Sequence, residues 1–289
     1  MSTRPTTPNR DAALYYASRG WPVFPTHTAT DGRCSCGVEC GSPGKHPRVK
    51  GGLHDATTDA ETIRKWWSKW PTANVAIRTG TVSGLLVLDL DSKHGDPEAM
   101  IGAVEVLAGE DCPRTTVSLT GGGGRHLLFA LDPSGDTAQN SSGRLGAGID
   151  VRGENGYIVA PPSKHKSGAL YAWDDYGDAE WIPSVDPAPA EWLLRAIAAA
   201  TKAHERWSGQ DRVATGPRQY LTEVPDWIDS ALAAITPDCP YQDWIAVGMA
   251  LEQVPGGFAL WDAWSRRAPN RYGGDEAMAR AWRGIQGRV

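Results

Sequence analysis

The 289-residue chain sets 34 acidic against 29 basic side chains, a formal net charge of −5, which excludes a protein that coats nucleic acid by bulk charge but leaves room for an acidic metal site beside a local basic groove. No stretch approaches the roughly 20 apolar residues that cross a bilayer, and residues 1–10 lack a signal peptide's apolar core, so the expectation is a cytoplasmic protein with no membrane partner. Of five cysteines, Cys34, Cys36 and Cys40 cluster while Cys112 and Cys239 stand apart, a distribution that suits metal binding in a reducing compartment better than a disulfide framework.

The length favours one large domain plus a small one. Residues 9–19 read as a helix ended by Gly20, and residues 21–25 as a brief strand. Residues 31–52 follow, too rich in Cys, Gly, Pro and Lys to be held by a core. Thr58-Asp59-Ala60-Glu61 has capping-box spacing, with Thr58 as the cap, and Ile63, Trp66, Trp67 and Trp70 then mark an amphipathic helix stopped by Pro71. Extended segments are expected at residues 75–78, 85–91, 115–119, 125–131, 148–151 and 157–160, with a helix from Asp96-Pro97 to about Leu107. Strands mixed with a few helices imply an α+β core, closed by an Ala-rich helix over residues 192–200. Residues 202–224 lose periodicity and read as a linker. Beyond them, residues 225–235, 241–253, 258–267 and 275–285 form a small all-α domain, and most of the 13 tryptophans fall at helical spacings where packing explains them.

The chemistry concentrates in the run Gly84-Leu85-Leu86-Val87-Leu88-Asp89-Leu90-Asp91. Alternation along a strand sends both carboxylates to one side, and two like charges so close raise at least one pKa unless a divalent cation lies between them. A third acid, Asp150, sits in an apolar strand, and Asp89, Asp91 and Asp150 together satisfy a two-metal phosphoryl-transfer site holding Mg2+ or Mn2+. Thr120-Gly121-Gly122-Gly123-Gly124-Arg125-His126 joins two strands; it reads either as a flexible hairpin loop or as a phosphate cradle in which Gly122, Gly123, Gly124, Arg125 and His126 bind a nucleotide. Arg78, on a strand expected to neighbour that of Asp89, together with Arg152 and Ser163, completes the candidate nucleotide contacts. Cys34-x-Cys36-x3-Cys40-x5-His46 offers a tetrahedral Zn2+ site that organises the polar loop at residues 31–50, with His27, His54 and Cys112 as alternatives to His46. Lys45, Arg48 and Lys50, anchored on that loop, can track a template backbone or a triphosphate.

Taken in order, Gly20-Trp21-Pro22-Val23-Phe24-Pro25, Gly44-Lys45-His46-Pro47, Asn74-Val75-Ala76-Ile77-Arg78-Thr79-Gly80, the Asp89-Leu90-Asp91 strand, Gly122-Gly123-Gly124-Arg125-His126 and Gly148-Ile149-Asp150-Val151-Arg152-Gly153 resemble the primase-polymerase family of the archaeo-eukaryotic primase superfamily, over residues 10–200. The resemblance implies Asp89, Asp91 and Asp150 as catalytic metal ligands and His126 as a contact to the incoming nucleotide's phosphates. It also implies an RRM-like catalytic half packed on a second α/β unit. Residues 225–289 look like a primase C-terminal helical module. The function so implied is a DNA primase and polymerase acting on single-stranded DNA template and primer with NTPs and dNTPs, in phage or plasmid replication, as the front of a helicase-primase. The catalytic domain would span residues 1–201, and for a phage-encoded chain the location would be the host cytoplasm. Two competing readings of the same residues are a two-metal nuclease and a non-catalytic zinc-containing DNA-binding module.

Overall fold

The computed structural model describes residues 8–175, 177, 182–211, 223–239, 241–268 and 274–286. It divides into two compact units, Met1–Arg206 and Trp207–Val289.

In the first unit α1 (Pro8–Ser18) buries Ala12, Ala13 and Tyr16, and β1 (Val23–Thr26) follows. β2 (Ala29–Thr30) and β3 (Arg33–Cys34) form a two-stranded ribbon at the head of the Cys-rich loop. α2 (Ala60–Lys69) buries Ile63 and Trp67. Its cap is Asp59, whose carboxylate accepts from the Thr62 amide at 2.8 Å. The expected capping box centred on Thr58 is therefore shifted by one residue, because the carboxylate is the stronger acceptor for the first orphan amides and suits the positive end of the helix dipole. Next come β4 (Asn74–Arg78), β5 (Leu85–Leu90), α3 (Pro97–Ala108), β6 (Thr116–Leu119), β7 (Arg125–Ala130), β8 (Ile149–Arg152), β9 (Tyr157–Ala160), β10 (Ala172–Trp173), β11 (Ala188–Pro189) and α4 (Glu191–Asp211). Asp96 caps α3 with Pro97 in its first turn, and Gly109 ends it in the left-handed conformation. α4 outruns the expected 192–200 and occupies the first part of the range read as a linker; residues 212–222 of that range lie outside the described residues.

The strands form an antiparallel three-stranded sheet, β1-β4-β9, and a larger sheet in the order β10-β6-β7-β5-β8, with β11 added in parallel to β7. One core cluster gathers Ala12, Tyr16, Ile63 and Trp67 with Val75 and Ile77 of the small sheet and Leu85, Val87 and Leu128 of the large one. A second lies on the opposite face of the large sheet, where Leu86, Leu88, Leu90, Leu127 and Phe129 meet Met100 and Val104 of α3 and Trp192, Leu193 and Ala196 of α4. Each fully buried leucine in that layer contributes about 1.5–3 kcal/mol. β5 is thus central to the sheet, with its even-numbered residues committed to the helices.

The second unit holds α5 (Ile228–Ala234), α6 (Tyr241–Leu251), α7 (Gly257–Ser265) and α8 (Asp275–Gln286). Ile228, Ile245, Leu251, Trp261, Trp264, Met278 and Ile285 form its core. Three indole N–H groups of this unit are matched: Trp261 donates to the Trp244 carbonyl at 3.0 Å, Trp264 to the Ile235 carbonyl at 3.0 Å, and Trp244 to the Ser265 hydroxyl at 2.8 Å.

The cap assignment is checked by thermal melting. Asp59→Ala is expected to lower the midpoint, whereas Thr58→Ala leaves it at the wild-type value; the reverse order would restore the frame centred on Thr58.

Candidate functional site

Strand register brings three of the predicted residues into one row. Asp89 on β5 stands opposite His126 on β7 and opposite Asp150 on β8. Directly opposed residues in antiparallel strands share a face, so the row lies on the side of the large sheet away from α3 and α4. Arg152 shares the face with Asp150 two residues earlier. Its Nη2 donates to Asp89 Oδ2 at 2.7 Å and to Asp150 Oδ2 at 2.7 Å, and its Nε donates to Asp89 Oδ2 at 3.0 Å. The second oxygen of Asp150 accepts from the Ser142 hydroxyl at 2.8 Å and the Gly143 amide at 2.9 Å.

The expected rise in an aspartate pKa does not occur at Asp89. Burial pushes its carboxyl up, but the charges of His126 and Arg152 and the hydrogen bond from Arg152 more than offset this and hold it below the ordinary value. His126 is 6 % exposed, and burial, opposed by the Asp89 charge, holds its imidazole below the ordinary 6.5. Its Nε2 lies 3.5 Å from Asp89 Oδ1, while its Nδ1 is buried without a hydrogen-bond partner.

A cavity of about 270 Å3 opens over this row, near the low end of ligand-pocket sizes of about 300–1,000 Å3. Asp89, His126 and Arg152 form one wall, Tyr157 and Val159 of β9 another, and Ser42 and Lys45 of the Cys-rich loop a third. Tyr171 also lines it, its ring stacked 6.1 Å from that of His126.

Asp91 departs from the row. β5 ends at Leu90, and Asp91 is the exposed cap of a short 3-10 turn, accepting from the Lys93 amide at 3.2 Å with the Lys93 ammonium 3.8 Å away. Asp89 and Asp150 offer hard oxygen donors on adjacent strands, and the guanidinium spanning them shows that the pair takes a cation between its members; the same donors suit a divalent ion. Among the described residues, however, Asp89, Asp91 and Asp150 are not drawn together as closely as the ligand atoms of Cys34, Cys36, Cys40 and His46, which all lie within 4.8 Å of one another. A tetrahedral site with Zn–S bonds of about 2.3 Å needs ligand separations of about 3.8 Å, so this group can hold a metal such as zinc. His46 is the histidine brought to it, its Nε2 3.1 Å from Cys34 Sγ, with His27 stacked behind at 4.4 Å. Burial would raise the Cys34 thiol, but hydrogen bonds from the Gly44 and Cys36 backbone and from His46 bring it down to about 6, close to the thiolate form a metal takes.

Four of the expected nucleotide contacts lie away from the cavity that Asp89 lines. Arg78 lies on β4, which pairs with β1 and β9 and not with β5; it stands opposite Tyr157 in the small sheet, under the influence of Glu154. Arg125 is on the helix face, where it donates to Glu98 of α3 at 2.6 Å, because its neighbour His126 takes the other face. Ser163 is fully buried, and its hydroxyl both accepts from the Val75 amide at 2.9 Å and donates to the Val75 carbonyl at 3.3 Å, leaving nothing for a ligand. The glycines form a tight turn: Gly123 has φ +89°, and a Cβ on Gly124 would lie 2.2 Å from the Leu90 carbonyl oxygen. The turn bonds to Ser92, whose hydroxyl donates to the Gly122 carbonyl at 2.8 Å, and none of Gly122, Gly123 or Gly124 lines the cavity with Asp89.

Sequence reasoning passed over the bridging role of Arg152 and the walls from Tyr157 and Tyr171. The Asp150-x-Arg152 spacing on a strand was the available signal for the first; nothing local announced the tyrosines.

Ser163→Ala is expected to cost about 1–3 kcal/mol in urea unfolding while leaving any nucleotide affinity unchanged; weakened binding at unchanged stability would reinstate it as a ligand contact. The low His126 pKa also sets a pH dependence. The unfolded chain binds a proton at this histidine before the folded one does, so its contribution to stability is complete above 6.5 and is lost as pH falls from 6.5 toward the folded value. The acid-side fall in urea midpoint between about pH 7 and about pH 5 should therefore be shallower in His126→Gln; an identical slope would contradict the buried neutral state.

Residues 13–192 match the family described as bifunctional DNA primase/polymerase, N-terminal, and residues 228–289 match primase C terminal 2 (PriCT-2). No curated protein matches the chain. No helix among the described residues is long and apolar enough to cross a membrane.

Proposed function

Because the chain belongs to the bifunctional DNA primase/polymerase family, we propose that it starts primers on single-stranded DNA and extends them, joining NTPs or dNTPs by two-metal nucleotidyl transfer at the Asp89 row. The observation that carries this reading is the register alignment of Asp89, His126 and Asp150 across three neighbouring strands, with Asp89 and His126 lining a cavity that Lys45 also lines.

Asp89, Asp91 and Asp150 are the residues that would hold Mg2+ or Mn2+. Such ions, when bound, activate the attacking 3′-hydroxyl and neutralise the leaving pyrophosphate. The chain's own contribution is electrostatic and positional. Asp89 stays ionised despite burial because Arg152 compensates it. His126, beside Asp89 on the cavity wall, would contact a phosphate oxygen of the incoming nucleotide. Arg152, freed from its bridge, presents planar N–H donors to the triphosphate. Ser142 and the Gly143 amide fix the orientation of Asp150.

The order β8-β5-β7-β6 with α3 crossing between β5 and β6 supports an RRM-like catalytic half, with the small sheet, α1 and α2 as the second α/β unit. Residues 1–201 are the catalytic domain, residues 31–50 its zinc-binding insertion and residues 225–289 the primase C-terminal module. This arrangement suits the front of a helicase-primase in phage or plasmid replication, with a helicase domain or replicative helicase as partner. A nuclease would use the same acids without needing nucleoside triphosphates, and a non-catalytic module would bind DNA without forming a triphosphate-dependent product.

Asp89→Ala is expected to abolish template-dependent primer extension, by a factor of about 1,000 or more, with the circular dichroism spectrum unchanged. Separate NTP and dNTP pools without primer read initiation and sugar choice in the same assay. Undiminished synthesis by a folded Asp89→Ala protein would sink the assignment, and shortening of labelled DNA without nucleotides would favour the nuclease.

A further inference from the structure

The metal loop and the cavity share a wall. Ser42 and Lys45 line the cavity with Asp89, His126 and Arg152, and Lys45 immediately precedes His46, whose ring closes the Cys3His group. The segment is tied to the α/β core on both sides of this lysine. Thr26 and Asn74 side chains donate to the Gly44 carbonyl at 3.2 and 3.1 Å, and the Tyr157 hydroxyl donates to the Lys45 carbonyl at 3.2 Å. Gly44 is at φ +79°, and a Cβ there would meet the Ala29 amide nitrogen at 3.3 Å. That bend, which only glycine adopts easily, lets consecutive residues serve one the cavity and the next the metal group.

Lys45 is exposed at the cavity rim and forms no ion pair among the described residues. It lines that cavity together with the Asp89 carboxylate and the Arg152 guanidinium. A cavity that sets a lysine and an arginine beside a carboxylate suits a ligand that is itself polyanionic and carries cations to the carboxylate. A nucleoside triphosphate with its divalent metal has that charge pattern.

We propose that Lys45 contacts the polyphosphate of the bound nucleotide, and that the Cys34, Cys36, Cys40 and His46 metal site positions it there, so that metal occupancy sets nucleotide affinity. This rests on the cavity being the nucleotide site. The metal loop would then be part of the active site's wall, and its loss would be felt in triphosphate binding even without DNA present.

The test uses the full chain with its zinc in place and a fluorescent dATP analogue, with the corresponding nucleoside as control. Lys45→Ala is expected to weaken dATP analogue binding by about tenfold or more, to leave nucleoside binding unchanged, and to retain wild-type zinc content and melting temperature. Lys45→Arg should restore most of the affinity. Stripping zinc from the wild type should weaken the analogue to the Lys45→Ala level, and stripping it from Lys45→Ala should add little. Wild-type affinity in Lys45→Ala would overturn the contact, and an equal loss on zinc removal in both proteins would overturn the positioning. Primer extension by the same preparations keeps the two readings apart. A wild type that extends primers with no role for Lys45 in binding overturns this inference alone. Lys45-dependent triphosphate binding by a protein that extends nothing leaves this inference standing and overturns the polymerase reading.

Discussion

One guanidinium lies between two carboxylates on adjacent strands of the large sheet, and it compensates their pairing in register. Asp89 and Asp150 face each other in register, half-buried, and without a cation between them their repulsion would oppose the pairing of β5 with β8. Arg152 supplies that cation from the same strand face as Asp150. A slip of one residue in β5 would send Asp89 into the layer of Leu86, Leu88 and Leu90 against α3 and α4, so burial of those leucines fixes the chemistry as well as the stability. The fold therefore delivers a carboxylate pair whose need for a countercharge is met internally by Arg152.

The Cys-rich loop meets its constraint differently. Val38 is 69 % exposed, and the loop has too little apolar surface to hold itself by burial. Three thiols and an imidazole within bonding reach of a common ion can replace a hydrophobic core, and the free energy of binding a metal there would become folding free energy for the segment. Its second anchor is the set of hydrogen bonds from Thr26, Asn74 and Tyr157 to Gly44 and Lys45. A loop secured at both points behaves as a rigid wall.

Most strands and helices were legible because their apolar periodicity is strong: the β5 run, the Trp67 face of α2 and the Trp261 face of α7 leave little alternative. The Asp89, His126 and Asp150 alignment was legible only as three separate segments, since register is a long-range property. Errors fell where a local rule met a competing partner. Arg78 and Arg125 are basic residues near the right motifs, but pairing sent β4 to another sheet and alternation sent Arg125 toward Glu98. Ser163 looked like a ligand contact because its neighbours are prolines and lysines, whereas its hydroxyl substitutes for missing ladder bonds at Val75. The four glycines suggested a cradle, and close backbone approach to Leu90 explains Gly124 without one. α4 continued past Ala200 into residues whose charge and polarity had suggested a linker.

The central claim is that the space held by Arg152 between Asp89 and Asp150 is the cation site of the polymerase. Crystals grown with Mn2+ and a non-hydrolysable dNTP analogue, measured at the manganese absorption edge, address it directly. The expected result is an anomalous peak bonded to Asp89 and Asp150, with Arg152 withdrawn from its bridge and turned to the analogue's phosphates. An Arg152 bridge left intact beside a bound analogue, with no manganese at either carboxylate, would contradict the account.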